Sequence, residues 1–318
     1  MHNTPKITII IPVYNRDKLL AFTLDSIIEQ TFIDWECILV DDRSTDESLL
    51  VLNEYQKKDP RFKVFLRPFL LKKGANSCRN YGFLQATGSY IKWFDSDDLM
   101  LPKHLEIAYE TIIKNKLDFV VSDTLNFNHE NGQMLDKPYN FDRKEAIITP
   151  ENFAKNRIGW ITDDFLGKRK LLEKLKFNEN ITTDGDEYNF FVRFLHHSIN
   201  GVLINEIITH RRIHNDSLSI INGEKTINFL AKVANVKYQT AQDLVVYNNK
   251  KLICWFLSGY MQYAFSLVNE KQPIPNYKEG FNLICRYYSF IKGCAFIFAT
   301  KSAKYSGKGY RILKFART

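Results

Sequence analysis

The stretch Tyr90-Ile91-Lys92-Trp93-Phe94-Asp95-Ser96-Asp97-Asp98 decides how the rest of the chain is read. Its largely apolar first half predicts a buried strand, and its second half sets three carboxylates at that strand's carboxyl end. Unpaired buried charge is costly, so such a cluster needs a partner. Strand alternation would turn Asp95 and Asp97 to one side and Asp98 to the other. Converging carboxylates repel one another unless a cation stands between them. A few hard oxygen ligands suit Mg²⁺ or Mn²⁺ completed by water and phosphate oxygens. The plainer alternative is a polar turn in which Asp98 caps the helix opened by Pro102. The surrounding chain decides between them.

Upstream, Ile7 to Val13 is mostly β-branched and broken only by Pro12, as expected of a strand buried on both faces of a parallel sheet. A helix follows with Leu19, Leu20, Leu24, Ile27 and Ile28 at helical spacing, then a strand over Trp35 to Val40. Ser44 with Glu47 matches a capping box for the next helix. A strand over Phe62 to Leu66 and a helix over Cys78 to Ala86, stopped by Gly88, lead into the Tyr90 strand. A helix from Pro102 to about Asn115 and a strand over Asp118 to Ser122 complete the alternation. This pattern predicts an α/β fold with a Rossmann-like, mostly parallel central sheet flanked by helices. Ligands of such sheets bind beyond the carboxyl ends of the strands. Three polar segments fall there: Tyr14-Asn15, Asp41-Asp42 and Asp95 to Asp98.

From about Phe127 the pattern loosens. Asn131-Gly132 is a hairpin signal, and Thr149-Pro150-Glu151 predicts a helix start. A helix over Asp186 to His197 places Tyr188, Phe191, Val192 and Leu195 on one face, and short strands over Val202 to Asn205 and Glu206 to Arg212 follow. Beyond about residue 222 the chain reads as helices over Thr226 to Val246, Lys250 to Asn269 and Tyr277 to Thr300.

At 318 residues, 45% hydrophobic and 25% charged, the composition is that of a globular protein with a full core. Cys37, Cys78, Cys254, Cys285 and Cys294 lack CxxC spacing and lie mostly in apolar stretches, which predicts buried thiols in a reducing compartment rather than disulfides or zinc. Met1 to Lys6 runs straight into a strand without a signal-peptide core. Leu283 to Thr300 is the nearest approach to a membrane span, and Arg286 and Lys292 interrupt it. The expected location is therefore cytoplasmic, with peripheral contact at the inner face of the cell membrane. The net charge of +8 is concentrated after Thr300, where six basic residues alternate with Tyr305, Tyr310, Ile312, Leu313 and Phe315 and no acidic residue intervenes. Such a tail suits an anionic surface; a solvated, partly disordered tail is the alternative. No nucleic-acid recognition motif accompanies the charge, so nucleic acid is not an expected partner.

The polar segments supply complementary chemistry. Asp41 and Asp42 could accept from a pyrimidine N–H and from ribose hydroxyls, and Tyr14 could stack on a base. Arg79, near the start of its helix, could pair with phosphate or with Asp95. Thr183-Asp184-Gly185-Asp186-Glu187 sets acids before another helix; capping explains one of them but hardly three, and a general base is the function they suit. His214 could offer a neutral nitrogen to a metal or a hydrogen bond to phosphate.

Ile9-Ile10-Ile11-Pro12-Val13-Tyr14-Asn15, Val40-Asp41-Asp42-Arg43-Ser44-Thr45-Asp46, Cys78-Arg79-Asn80-Tyr81-Gly82 and Phe94-Asp95-Ser96-Asp97-Asp98 resemble, in order and spacing, the inverting nucleotide-sugar glycosyltransferases of family 2. The resemblance covers about residues 5 to 220 and implies the GT-A fold. It implies a nucleotide site of Pro12, Tyr14, Asn15, Asp41, Asp42, Arg79, Asp95 and Ser96, with Tyr14 and Asp42 on the base and Asp95 on the ribose. It implies Asp97, with His214, as ligands of Mn²⁺ or Mg²⁺ at the diphosphate. Arg193 aligns with an arginine that follows the family's catalytic pair, so Glu187 falls at the base position with Asp186 before it. The order is Asp-Glu, reversed from the common pattern, and the base is one of these two. Arg212-Ile213-His214 with Ser217 and Ser219 is similar to the segment that closes over the diphosphate.

The expected organisation is a catalytic domain over residues 1–222, with a nucleotide-binding half at 1–122 and an acceptor-binding half at 123–222, followed by a helical extension at 223–318. The implied activity is transfer of a sugar from a UDP-sugar donor to a hydroxyl of a glycan or lipid-linked acceptor in cell-surface polysaccharide synthesis. A nucleotidyltransferase of similar fold is an alternative, although Pro12-Val13-Tyr14-Asn15-Arg16 lacks the Gly-rich basic loop it needs. A non-catalytic nucleotide-sugar-binding homologue is the other.

Overall fold

The computed structural model of the protein describes residues 4–182, 185–214 and 227–318. Thr183, Asp184, Ser217, Ser219 and the expected boundary at residue 222 lie outside the described residues. The chain divides into two compact units, one of residues up to 182 with Phe190–His214, the other of residues 183–189 with 215–318.

The first unit is built on one eight-stranded sheet in the order β3-β2-β1-β4-β7-β6-β8-β5. Its strands are β1 (Ile7–Val13), β2 (Trp35–Asp41), β3 (Phe62–Leu66), β4 (Tyr90–Trp93), β5 (Leu99–Met100), β6 (Phe119–Asn128), β7 (Phe165–Lys168) and β8 (Gly201–Ile213). β1 pairs in parallel with both β2 and β4, and β2 in parallel with β3, so this half is parallel as the alternation predicts. The other half is mixed. β7 runs antiparallel to β4 and β6, β8 runs parallel to β6, and β5 runs antiparallel to β8.

Helices α1 (Asp17–Ile28), α2 (Ser48–Lys58), α3 (Ala75–Gln85) and α4 (His104–Asn115) connect the first strands. Every residue of β1 and β2 is buried because both faces are covered. Ile7, Ile9, Ile11 and Val13 enter one core with Leu20 and Leu24 of α1 and Leu105 and Ile112 of α4. Ile10 points the other way, toward α3. A Cβ at Gly82 would come within 2.6 Å of Ile10, so only glycine lets α3 lie this close to β1. Ser44 does not cap α2 as expected. Its hydroxyl accepts instead from Asn15 N at 3.0 Å, and Asp46 receives the N–H of Ser48 at 3.0 Å.

Short helices α5 (Pro150–Ala154) and α6 (Arg169–Leu172) flank β7, and α7 (Gly185–Phe194) follows. Thr149 caps α5 by accepting from Asn152 N at 3.1 Å, in line with the predicted helix start. Asn131-Gly132 does turn the chain, since Phe127 and Met134 form an antiparallel bridge around it. The core of this half is aromatic. Phe177 stacks on Phe190 at 4.2 Å, and Trp93 meets Phe190 edge-on at 5.0 Å.

The second unit carries helices α8 (Ile227–Asp243), α9 (Lys250–Asn269), α10 (Tyr277–Tyr287), α11 (Phe290–Ser306) and α12 (Tyr310–Arg317). Leu252, Ile253, Phe256, Leu257, Tyr260, Met261 and Ala264 form the buried face of α9. The single helix expected over Tyr277 to Thr300 is broken at Tyr288, where Ser289 starts a new helix by accepting from Lys292 N at 3.2 Å. The basic tail is helical rather than disordered, with Leu313 and Ala316 of α12 buried. Among the described residues no helix is long and apolar enough to cross a membrane.

Candidate active site

β1 lies between β2 and β4, so the residues following these three strands share one edge of the sheet. After β1, Asn15 takes a left-handed conformation (φ 50°), as does Arg43 after β2 (φ 60°), and the two turns are joined where Thr45 N donates to Asn15 Oδ1 at 2.8 Å. Tyr14 is partly exposed there, with Lys73 Nζ 3.8 Å above its ring.

The two acids after β2 differ sharply. Asp42 is fully engaged, accepting from Arg67 Nε at Oδ1 and from Gly74 N at 2.8 Å at Oδ2. Asp41 accepts from Ser44 N at 3.0 Å through Oδ2, while its buried Oδ1 has no partner among the described residues. An orphaned buried carboxylate oxygen is costly without a donor, so Asp41 is the acid with capacity for a ligand N–H or O–H. Of the two acids, Asp42 is the one the resemblance sets on the base, and it is the one whose oxygens are already occupied.

The acidic stretch after β4 is a turn, not a continuation of the strand. Strand pairing ends at Trp93, and the expected alternation does not carry through. Asp95, Asp98 and Asp163 come together, one oxygen of each within 4.8 Å of the others, while Asp97 turns to a separate set of partners. Asp98 does not cap α4. It is buried and its Oδ1 accepts from Arg212 N at 2.7 Å. Arg79 Nη2 donates to Asp95 Oδ1 at 2.9 Å, and Asp95 N donates to Asp163 Oδ1 at 3.0 Å.

Asp97 Oδ2 receives Arg16 Nε at 3.1 Å and stands 3.0 Å from His214 Nε2. Burial alone would raise the Asp97 pKa, but the hydrogen bond with His214 and the charge of Arg16 hold it below the ordinary carboxylate value. β8 delivers His214: its antiparallel pairing with β5 runs it beside the acidic turn, and Arg212 Nε donates to Asp97 O at 2.7 Å. A carboxylate oxygen and an imidazole nitrogen thus converge at a partly exposed point. That donor set fits a hard divalent ion.

Asp163 was not legible as a site residue, nor were its neighbours. Thr162–Asp164 forms a 3-10 turn leading into β7. Lys92, fully buried, donates to Asp163 O, and Thr124 donates to Asp164 Oδ1. Burial, then the charges of Asp95 and Asp98, push Asp163 well above its ordinary pKa. Burial, then Asp97 and Asp95, do the same to Asp98. Burial likewise raises Asp164 to about 6 and lowers Lys92 to about 8. The signal that could have found Asp163 is Trp160-Ile161-Thr162-Asp163-Asp164-Phe165-Leu166, a second pair of acids set inside an apolar run.

Asp186 and Glu187 occupy the first turn of α7 in the second unit, where Asp186 Oδ1 accepts from Glu187 N at 2.8 Å. Arg193, on the same helix in the first unit, donates from Nη2 to Lys176 O at 2.6 Å.

Residues 8–179 match the family described as Glycosyl transferase family 2. The chain belongs to glycosyltransferase family 2. It is 28% identical over 262 residues to glycosyltransferase GlyA of Streptococcus pneumoniae, a match covering 76% of this chain and 36% of that protein. It is 32% identical over 185 residues to the GalNAc(5)-diNAcBac-PP-undecaprenol beta-1,3-glucosyltransferase of Campylobacter jejuni, covering 55% of each. The chain therefore spans about a third to a half of these two relatives. S. aureus TarS 1-349 in complex with UDP-GlcNAc superposes with a TM-score of 0.67 at 16% identity, over 98% of this chain and 89% of that one. This likeness fixes the fold as GT-A: a mixed sheet flanked by helices, here with a helical C-terminal region.

Proposed function

We propose that this family 2 glycosyltransferase moves a sugar from a UDP-sugar, with inversion, to a hydroxyl of a glycan or lipid-linked acceptor in cell-surface polysaccharide synthesis at the cytoplasmic face of the membrane. The observation that carries this is Asp41 Oδ1, without a partner among the described residues, on the same sheet edge as the Asp97–His214 pair. One suits a nucleobase or ribose donor, the other a metal-bound diphosphate. Tyr14 stacks on the base, with Pro12, Asn15 and Ser96 around the nucleotide, and Arg79 steers Asp95 toward the ribose.

Asp97 and His214 would hold Mn²⁺ or Mg²⁺, which when bound supplies charge neutralisation at the leaving diphosphate. His214 and Arg16 hold Asp97 ionised, and Arg212 fixes its backbone carbonyl. The carboxylate of Glu187 takes the proton of the acceptor hydroxyl. The freed oxygen attacks the anomeric carbon from the face opposite the diphosphate, and the bond from that carbon to the phosphate oxygen breaks. Glu187 is preferred over Asp186 because it stands at the base position that the resemblance gives it, counted back from Arg193.

The test is a panel of nucleotide sugars offered to the chain with Mn²⁺, first for binding and then for transfer or slow hydrolysis. Saturable UDP-sugar binding with turnover is expected. Sugar 1-phosphate converted to nucleotide sugar would point to a nucleotidyltransferase, and binding without any turnover to a non-catalytic homologue.

A further inference from the structure

Within the second unit, α11 is two-faced in an unusual sense. Its inner face is Gly293, Phe296, Ala299, Thr300 and Ala303. Its outer face carries Ile291, Cys294, Phe298, Lys301 and Tyr305, spaced by three and four residues and therefore on one stripe. Phe298 is 63% exposed and Tyr305 82% exposed, where a surface helix would ordinarily be polar. α12 continues the pattern, with Tyr310 and Phe315 exposed and Leu313 buried. Lys292 Nζ sits 3.7 Å over the Phe315 ring, so the start of α11 lies against the end of α12.

Charge says what covers this face. Between Phe290 and Thr318 there are seven Lys and Arg residues and no acidic one. Arg317 is spent inside the unit, donating to Ser258 Oγ at 3.1 Å. Lys301, Lys304, Lys308, Arg311 and Lys314 are all exposed. A second copy of the chain would bring the same positive charge against itself. A nucleic acid would satisfy the lysines but leave Ile291 and Phe298 facing phosphates. An anionic bilayer satisfies both, since lipid phosphates take the lysines while the apolar stripe enters the acyl boundary.

We propose that the outer face of α11 and α12 is a docking surface for anionic phospholipid bilayers. The inference makes specific the membrane location in the proposed function and rests on it only for its purpose, because the surface can be assayed without donor or acceptor. The experiment is sedimentation of the full chain with vesicles of phosphatidylcholine alone or of phosphatidylcholine with phosphatidylglycerol. Binding to the anionic vesicles only, weakening as salt rises, is expected. The variant K301Q/K308Q/K314Q should lose about tenfold or more of the partitioning. The variant I291S/F298S should lose on the order of tenfold, even at low salt. All replaced side chains are exposed, and unchanged thermal melting of both variants checks that folding is intact. No binding to anionic vesicles, or binding equal in wild type and both variants, overturns the proposal. So does capture by polyuridylate without vesicle binding, or a lipid-independent dimer that F298S dissociates. Donor hydrolysis measured without vesicles reports on the transferase separately.

Discussion

Asp95 and Asp163 stand in one carboxylate cluster, yet they arrive there by different routes. Asp95 follows β4 in the parallel half of the sheet, where strand, turn and helix succeed one another and each residue's role follows from its place in that alternation. Asp163 precedes β7, a four-residue strand pairing antiparallel with β4 and β6. The parallel half lays out its ligand edge locally; the mixed half brings His214 to that edge at the end of β8 and otherwise supplies buried support through contacts remote in sequence. If this contrast holds, changes on the parallel edge and its partners should cost chemistry, and changes in the mixed half should cost folding.

The largest effect should come from Asp97→Ala. Transfer should fall about 10³-fold, because the loss is of charge stabilisation at the diphosphate, and the protein should remain folded with a modestly lower melting temperature, since Arg16 and His214 lose their partner. Wild-type turnover at saturating donor and Mn²⁺ would remove Asp97 from the site. Next, Glu187→Gln should lower kcat by roughly 10²- to 10⁴-fold while leaving UDP-sugar affinity, read by calorimetry, intact. Normal turnover there would move the base to Asp186.

Asp163→Ala tests the other side. It strips the acceptor from Asp95 N and should cost about 1–3 kcal/mol of stability, read by urea unfolding. Full stability with lost activity would turn Asp163 into an edge residue and dissolve the contrast.

The smallest effect concerns pH. His104 Nδ1 lies 2.9 Å from Ile208 O and its buried Nε2 has no partner among the described residues, which ties α4 to β8 with a neutral ring. Burial, helped by the charge of Lys92, holds its pKa well below the ordinary 6.5. The unfolded chain takes up a proton near pH 6.5 that the fold refuses. The corresponding stability is complete above that pH and declines as pH falls toward the folded value, by up to about 1.4 kcal/mol per unit. His104→Gln should flatten stability between pH 7 and 5; an identical slope would assign the acid sensitivity elsewhere.

The same contrast explains what the sequence disclosed. Ile7–Val13 and Trp35–Asp41 are continuous apolar runs ended by polar turns, and the helices between them repeat at helical spacing, so the parallel half was legible residue by residue. β7 is too short to show a period, and its Phe165-Leu166-Gly167-Lys168 gains its identity only from partners far away. β8 was expected as two short strands meeting at Asn205-Glu206. Both are exposed within one thirteen-residue strand that bulges against β6 near Asp123. Asp41 and Asp42 were expected together as ligands, but which of them keeps an unpaired oxygen among the described residues depends on Arg67 and Gly74, whose approach only the folded chain reveals.

The five cysteines are unequal in a useful way. Cys37 of β2 and Cys78 of α3 are buried and Cys254 and Cys285 are half-covered, whereas Cys294 is exposed, one turn from both Ile291 and Phe298. Thiol reagents will therefore find Cys294 first, and a nitroxide attached there would become a depth gauge, its relaxation by dissolved oxygen rising as the helix sinks among hydrocarbon chains.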